Sequence, residues 1–368
     1  MSENRLLERI PDGLRALSAY SVPTPSGIEV KLDANEHPYA LSREAREALA
    51  AELAEVDVNR YPASDCGELR ELIAGELAVD PQALVFGNGS DELISFLVAA
   101  LSKPRPGADA ASILYPVPTF VVFRLACLSH GARAVEVPLS PDFELDADAM
   151  NEAIERDRPN VAFFARPNNP TGTLWPRAEI ARLARAHPDV LFVSDEAYDD
   201  YCGDSMVGEL ASMPNLAVMR TLSKIGLAGL RIGFLCAAPE LVRELEKVRT
   251  PYNVGSLNQR AAVWIMRNLR DELRAQCEEV ARERDAVFDE LSALSGVRPF
   301  PSRANLILFR VGESGDGRAA EVWRGLCERG VLVRNLDHPG PLAGCLRVTI
   351  GTPSENRRFL DALRTALG

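Results

Sequence analysis

A lysine lies between phosphate-binding residue types in residues 221–231, which read TLSKIGLAGLR. Thr221, Ser223 and Arg231 carry the hydroxyl and guanidinium groups that bind phosphate, and the glycines between them let the backbone approach a ligand closely. Lys224 follows a short apolar run and therefore stands near the end of a predicted buried strand. A lysine at such a position is most often only a solvated loop charge. Its neighbours instead predict a phosphorylated ligand beside the lysine amine.

Polar groups follow other apolar runs in the same way. Ser90 and Asp91 belong to GNGSDE, a tight turn that opens a predicted helix. The amides and dipole at such a helix start suit an anion, although either side chain is also an ordinary helix cap. Asn169 lies in the rigid loop RPNNPTG and can donate a hydrogen bond inward. Phe120 follows SILYPVPT and either packs in the core or stacks on a ligand.

Asp195 and Tyr198 come from DEAY, directly after the apolar run VLFVS. Burying a carboxylate at the end of a strand has a desolvation free energy on the order of several kcal/mol, unless a cation pairs with it. We therefore expect Asp195 to face a cation, and Lys224 and a cationic ligand are the two candidates.

Seven apolar runs separated by helical patterns must position these residues. The runs lie at 84–87, 112–115, 134–137, 161–165, 190–194, 216–219 and 232–237. Continuous apolar strands joined by helices predict an α/β fold with a mostly parallel central sheet flanked by helices. The last two strands have no room for a crossover helix between them, so we expect their directions to differ. Ligands bind beyond the carboxyl ends of such strands, where the candidate residues lie.

A smaller α+β domain is predicted for the rest of the chain. Residues 258–294 are helical in pattern, and the later segments alternate strands with helices and end in a helix from about residue 354. Residues 1–40 are too short to fold alone and are expected to join this domain. The predicted division is therefore 1–40, a large ligand-binding domain at 41–257, and a linking helix with the small domain at 258–368.

Composition excludes several classes of function. The 368 residues are 46% hydrophobic and 26% charged, with a formal net charge of −12, which disfavours binding to nucleic acid or an anionic membrane. The seven dispersed cysteines predict reduced thiols and a cytoplasmic protein, and the four isolated histidines predict no metal site. Neither a GxGxxG fingerprint nor a Walker phosphate loop occurs.

Four of these motifs together resemble the signature of fold-type I pyridoxal-phosphate (PLP) aminotransferases. They are NPTG at 169–172, Asp195 with Tyr198, Ser223-Lys224, and Arg231. The resemblance implies that Lys224 binds PLP covalently and later moves the substrate's proton. It also implies that Asp195 faces the pyridine nitrogen, which makes the ring an electron sink. The other implied cofactor contacts are from Tyr198 and Asn169 to the ring oxygen, from Phe120 to the ring face, and from Ser90, Asp91, Thr221, Ser223 and Arg231 around the phosphate.

Over nearly the whole chain, the motifs are similar to those of histidinol-phosphate aminotransferases. Examples are LDANEHPY, RYP, PYN and LRVTIGTPSEN. The resemblance implies transfer of the amino group from histidinol phosphate to 2-oxoglutarate, giving imidazole-acetol phosphate and glutamate. It further implies a homodimer in which Tyr61 reaches the partner's PLP phosphate.

The same resemblance implies four residues that face the substrate: Tyr20, Asn35, Arg334 and Arg347. Arginine binds phosphate or carboxylate with two parallel hydrogen bonds. Arg347 is otherwise unusual within the strand pattern CLRVTI. The other interpretation is that both arginines are structural and paired within the protein.

Two departures from the family pattern matter. The stretch from Lys224 to Arg231 is one residue shorter than in many relatives, so the placement of Arg231 needs checking. Phe120 stands where many relatives have tyrosine.

The alternatives to this function are an aromatic-amino-acid aminotransferase, a threonine-phosphate decarboxylase and, more remotely, a non-catalytic ligand-sensing module of this fold.

Overall fold

The computed structural model describes residues 7–15, 25–313 and 315–368. In this part of the chain, short 3-10 turns and loops connect twelve strands and twelve α-helices. The strands are β1 (Val30–Leu32), β2 (Leu84–Asn88), β3 (Ser112–Val117), β4 (Arg133–Pro138), β5 (Val161–Ala165), β6 (Leu191–Asp195), β7 (Leu216–Thr221), β8 (Ile232–Ala237), β9 (Val297–Pro299), β10 (Leu306–Val311), β11 (Val331–Asn335) and β12 (Cys345–Thr349). The helices are α1 (Asp12–Arg15), α2 (Arg43–Ala54), α3 (Gly67–Leu77), α4 (Ser90–Ala100), α5 (Val122–His130), α6 (Ala147–Asp157), α7 (Arg177–Ala186), α8 (Pro239–Val248), α9 (Ser256–Asn268), α10 (Arg270–Ser292), α11 (Arg318–Glu328) and α12 (Pro353–Leu367).

Seven strands form a sheet in the order β2-β8-β7-β6-β5-β3-β4. Strands β3 to β7 are mutually parallel, whereas β8 is antiparallel to both β7 and β2. The predicted mostly parallel sheet and the reversed last strand are therefore confirmed.

Both faces of this sheet are buried, which explains its continuous apolar runs. In β5 the adjacent Phe163 and Phe164 are both buried and belong to different hydrophobic clusters, because successive side chains of a strand point to opposite faces. Phe163 stacks on Phe123 of α5, and Phe164 stacks on Phe192 of β6. The carboxyl ends of the parallel strands consequently meet at one edge of a rigid layer.

The second sheet has five strands in the order β1-β11-β12-β10-β9. Strand β1 pairs in parallel with β11, and the remaining pairs are antiparallel. The amino-terminal segment thus contributes a strand to the carboxyl-terminal sheet. Strands β1 and β9 have three residues each, too few for a periodic pattern to reveal them. The domain boundaries given above stay predictions.

Helix α12 closes the chain against this second sheet. Thr352 accepts a hydrogen bond from the Glu355 backbone N–H, and the Glu355 carboxylate accepts one from the Thr352 N–H. This reciprocal cap, with proline at the first helical position, fixes where the helix begins.

All seven cysteines are free thiols. Within the described ranges, none of the helices is long and apolar enough to cross a membrane.

Candidate active site

Ten of the residues predicted to bind the cofactor line one cavity at the carboxyl edge of the seven-stranded sheet. They are Ser90, Asp91, Phe120, Asn169, Asp195, Tyr198, Thr221, Ser223, Lys224 and Arg231. Nine of them lie at or just after the end of a strand or at the start of α4, and Arg231 directly precedes the antiparallel strand β8. The sheet topology thus brings together positions that are far apart in sequence. Ala165, Pro167 and Ala197 complete the wall. Sequence reasoning did not select these three, because their side chains carry no polar group to signal a role.

One end of the cavity carries hydroxyl and guanidinium groups. The Thr221 oxygen accepts a hydrogen bond from the Ser223 backbone N–H at 3.1 Å, which caps the 3-10 turn Leu222–Ile225. Arg231 donates from Nη1 to the Ser223 hydroxyl at 3.3 Å and forms a 3.3 Å ion pair with Asp91. Despite the short spacing from Lys224, Arg231 therefore reaches the predicted end of the cavity. The arrangement can bind a phosphate.

Two glycines allow the turns at this end to come together. A Cβ added to Gly233 of β8 would lie 2.6 Å from the backbone of Gly89 and Ser90, and one added to Gly89 would lie 2.6 Å from Arg231 Nη2. Real Cβ atoms essentially never approach so closely, so a larger residue at position 233 would displace the start of α4. At position 89 it would displace the Arg231 guanidinium and would also be strained at a φ of +76°. Gly233 was missed from the sequence, although a glycine inside a buried strand is a recognised sign of close backbone approach.

Asp195 ends β6 and is buried at the floor of the cavity. Its carboxylate accepts one hydrogen bond at 3.2 Å, from the Ala197 N–H. Burial raises the pKa of Asp195 to about 7, with smaller contributions from Asp91 and Glu196, while the Ala197 N–H and Lys224 oppose the rise. Among the described residues no cation forms an ion pair with it. Of the two expected partners, Lys224 is thus too distant, and a cationic ligand fits this carboxylate.

Lys224 lies on the turn Leu222–Ile225, next to the end of β7. Its Nζ lies 5.7 Å from the centre of the Tyr198 ring. The Tyr198 hydroxyl in turn accepts a hydrogen bond from Asn35 Nδ2 at 2.8 Å. The amine and the phenol therefore face the same part of the cavity. The amine can bind an aldehyde covalently there, while the phenol contacts a polar substituent on the same ring.

Asn35 is held in place by residues that sequence reasoning did not select. Its backbone N–H donates to the Thr349 hydroxyl at 2.9 Å, and Asn305 donates to its carbonyl oxygen at 3.2 Å. Thr349 lies at the end of β12, and Asn305 precedes β10. Thr349 lies within the quoted motif LRVTIGTPSEN, but nothing in the sequence shows that either residue contacts Asn35, because such support depends on tertiary contacts.

Arg347 joins the second sheet to the cavity. It donates from Nη1 to Asn169 Oδ1 at 2.6 Å and from Nη2 to the Asp33 carbonyl oxygen at 2.8 Å. Asn169 keeps its own NH₂ group free to donate elsewhere. Arg334 of β11 lies directly opposite Arg347 in the strand register. Two like charges at opposed positions destabilise a sheet unless an anion lies between them.

Phe120 presents an aromatic ring to the cavity and packs edge-on against Phe123, with the ring centres 6.0 Å apart. Its other surroundings leave a face for stacking on a ligand, which does not require the hydroxyl of a tyrosine.

Of the predicted residues that the structure describes, Asn35, Tyr61, Arg334 and Arg347 do not line the cavity, although Asn35 and Arg347 bond to its wall at Tyr198 and Asn169. Tyr61 is 81% exposed and stacks on Tyr252, with the ring centres 4.5 Å apart. It does not line the cavity of its own chain. Tyr20 lies outside the described residues.

The residues present fit PLP. Within the described ranges, no cation pairs with the buried Asp195 carboxylate, which therefore suits a pyridinium nitrogen. The Arg231 end suits a phosphate, and Lys224 offers an amine in the same cavity. A fold of this type with such a cavity defines the class of PLP-dependent aminotransferases. Residues 28–363 match the family model described as aminotransferase class I and II. The chain belongs to this family.

Curated relatives narrow the assignment. "Histidinol-phosphate aminotransferase 1" of Ralstonia nicotianae is 42% identical, over 98% of this chain and 96% of the relative. "Histidinol-phosphate aminotransferase" of Methylibium petroleiphilum is also 42% identical, over 99% and 96%. Within the class, the chain belongs to the histidinol-phosphate aminotransferases.

A solved structure supports the fold. Histidinol-phosphate aminotransferase from Sinorhizobium meliloti, in complex with pyridoxal-5'-phosphate, superposes with a TM-score of 0.85 and covers 98% of both chains at 24% identity. This likeness confirms the predicted fold class, and the family match and curated relatives confirm the predicted enzyme class and its cofactor. The roles of the individual residues stay predictions.

Proposed function

We propose that this chain transfers the amino group of L-histidinol phosphate to 2-oxoglutarate, giving imidazole-acetol phosphate and L-glutamate. The observation that carries the proposal is a single cavity that contains Lys224 and Asp195 and is bonded through Asn169 to Arg347. A site that fits PLP is thus joined to Arg347, and the strand register puts Arg334 opposite Arg347, so the two arginines can bind an anionic substrate. Relatives that are 42% identical over nearly the whole chain and named for this activity support it.

Bound PLP supplies a protonated ring that withdraws electrons from the substrate's α-carbon. The Asp195 carboxylate holds that charge state. A charge pair at ~4 Å with an effective dielectric of ~20 is worth about 4 kcal/mol, or roughly three pKa units on the ring nitrogen. The burial that makes Asp195 unfavourable as a lone anion also keeps water from screening this pair.

Lys224 has two roles in the proposal. Its amine would hold the aldehyde of the cofactor, and the free lysine amine would take up and release the proton of the substrate's α-carbon. Tyr198, which Asn35 fixes by a hydrogen bond, and the NH₂ group of Asn169 both donate to the ring oxygen. These contacts align the ring with the lysine.

The remaining cavity residues hold the cofactor's ends. Thr221, Ser223 and Arg231 bind the phosphate, together with the N-terminus of α4 at Ser90 and Asp91. Phe120 covers one face of the ring.

The arginine pair selects the substrates. Arg334 and Arg347 bind the phosphate of histidinol phosphate, and Arg347 also binds the carboxylate of glutamate in the second half of the reaction. Because both amino donors are anions, one guanidinium pair serves both. Asn35 and Tyr20 contact the rest of the substrate.

The proposal includes a cytoplasmic homodimer with shared active sites. The exposed Tyr61–Tyr252 stack is a surface that a second copy of the chain can cover, and Tyr61 then contributes to the partner's phosphate site. The small-molecule substrates make a nucleic-acid or membrane partner unnecessary.

Steady-state kinetics with four amino donors test the substrate assignment. We expect kcat/KM to be highest for L-histidinol phosphate and at least about a hundredfold lower for L-histidinol, since lost contacts to a charged phosphate cost about 1.5–3 kcal/mol each. A higher value for L-phenylalanine would favour an aromatic aminotransferase. Release of CO₂ from L-threonine phosphate would indicate a decarboxylase.

A further inference from the structure

A chain of hydrogen bonds runs behind the catalytic lysine and has no place in the reaction described above. The Tyr201 hydroxyl donates to the backbone carbonyl oxygen of Lys224. The Tyr201 oxygen also lies 3.0 Å from Nδ1 of His37. His37 follows β1 in the segment that carries Asn35, so three separate parts of the chain meet at this point.

The proton positions in this chain follow from donor counting. Tyr201 is buried, and burial raises the pKa of its hydroxyl well above the ordinary value, so the hydroxyl keeps its single proton. Because that proton is donated to Lys224, the oxygen can only accept a hydrogen bond from His37. Burial lowers the pKa of His37, which keeps the ring neutral. The neutral ring must then carry its proton on Nδ1.

The other side of the imidazole is also occupied. Nε2 lies 3.2 Å from Oε1 of the Gln276 side-chain amide, whose NH₂ group donates to the exposed Glu272 carboxylate at 3.1 Å. With the ring proton on Nδ1, the amide must turn its NH₂ group towards Nε2 and give up the Glu272 contact. Tyr39 packs edge-on against the ring, with the centres 5.7 Å apart. His37 is therefore held from two sides and can support Tyr201 in a fixed orientation.

We propose that His37 and Tyr201 are positioning residues, which lock the peptide of Lys224 and couple it to the segment that carries Asn35. Asn35 bonds to Tyr198, whose ring the lysine amine faces. The same short segment thus sets both the backbone and the side-chain surroundings of Lys224. The catalytic part of this inference rests on the proposed function. The structural part, that His37 and Tyr201 fix the Lys224 peptide, does not depend on which substrate the protein uses.

Variants with matched controls separate positioning from mere stability. Tyr201→Phe removes the hydroxyl, His37→Leu removes its donor, and His37→Asn keeps an N–H close to the position of Nδ1. Tyr115→Phe is the control, because Tyr115 is another buried tyrosine whose hydroxyl donates elsewhere, to Glu136.

The first readout is the pH titration of the visible absorption of the bound cofactor, which reports the surroundings of the lysine amine. We expect its midpoint to shift by about half a pH unit or more in Tyr201→Phe and His37→Leu, and to stay near the wild-type value in His37→Asn and Tyr115→Phe. With histidinol phosphate, kcat should fall about five- to tenfold in the first two variants, while KM changes less than about twofold. If Tyr201→Phe behaves like Tyr115→Phe in both readouts, the proposal is wrong.

The second readout uses the cofactor-free wild-type protein and needs a folded variant only to assign the His37 signal. Nitrogen NMR of the imidazole rings, with His37 assigned by the loss of its signal in His37→Asn, should place the proton on Nδ1. A proton on Nε2 alone would overturn the proposal. A wild type that shows these signals but does not transaminate histidinol phosphate would instead refute the proposed function and leave the positioning intact.

Discussion

Replacing Asp195 by asparagine is expected to stabilise the cofactor-free protein while removing most of the activity. The carboxyl is buried, and its pKa is raised from an ordinary 3.8 to about 7. Asparagine has nearly the same shape, and its side-chain oxygen can still accept the hydrogen bond from Ala197. The substitution therefore removes a buried charge and leaves the local packing in place.

The sign and size of the effect follow from proton binding. Between about pH 4 and pH 7 the folded protein binds a proton at Asp195 that the unfolded chain has released, so stability contributed by this group is largest at low pH and falls as the pH rises. A rise in pKa from 3.8 to about 7 corresponds to about 4 kcal/mol of unfolding free energy lost by pH 8. Asp195→Asn should recover an amount of this order at pH 8 and almost none at pH 4.

Denaturant unfolding of the cofactor-free proteins from about pH 4.5 to about pH 8.5, at one fixed protein concentration, measures this difference. Asp109→Asn, a change in an exposed loop, is the control and should parallel the wild type. Loss of the charge pair with the cofactor should lower kcat by roughly a thousandfold, which corresponds to the same ~4 kcal/mol. If the difference in unfolding free energy between the wild type and Asp195→Asn does not change across this pH range, burial does not raise the pKa of Asp195 as described here.

Four further substitutions test other parts of the site. Lys224→Ala should fold and unfold like the wild type but form no Schiff base with PLP, so the absorption band of the lysine-bound cofactor is absent; a normal band of this kind would remove Lys224 from its role. Gly233→Ala should lower PLP affinity at least about tenfold in a fluorescence titration, because its Cβ would lie 2.6 Å from the neighbouring backbone, and unchanged affinity would show that the turn can yield. Arg347→Ala should raise the KM of both histidinol phosphate and glutamate by about ten- to a hundredfold, whereas an effect on neither would exclude it from substrate binding. If Tyr61→Phe is inactive, mixing it with Lys224→Ala should restore activity in hybrid dimers, and hybrids without activity would argue against shared sites.

The strands of the large sheet were the most predictable part of the fold. Runs such as Val161–Ala165 and Ile232–Ala237 are apolar throughout because helices cover both faces of the sheet, so their ends are visible in the sequence. The candidate cofactor residues follow those ends, and a sheet of parallel strands brings its carboxyl ends to one edge. The location of the site was therefore predictable from the strand pattern.

Contacts between distant segments were not predictable in the same way. Gly233 is required only because the backbone of Gly89 and Ser90 passes beside it. Thr349 supports Asn35 from a position more than three hundred residues later in the chain. The partner of Asp195 was also open from the sequence, since the distance to Lys224 depends on where two separate strands end.

The half-reaction tests the central claim most directly. Purified protein loaded with PLP would be mixed with L-histidinol phosphate in the absence of any keto acid, and the visible absorption of the lysine-bound cofactor would be followed. The account predicts that this absorption is lost, with one equivalent of imidazole-acetol phosphate formed per site, and that 2-oxoglutarate restores it with formation of glutamate. Absorption that persists with saturating L-histidinol phosphate would contradict the proposed activity.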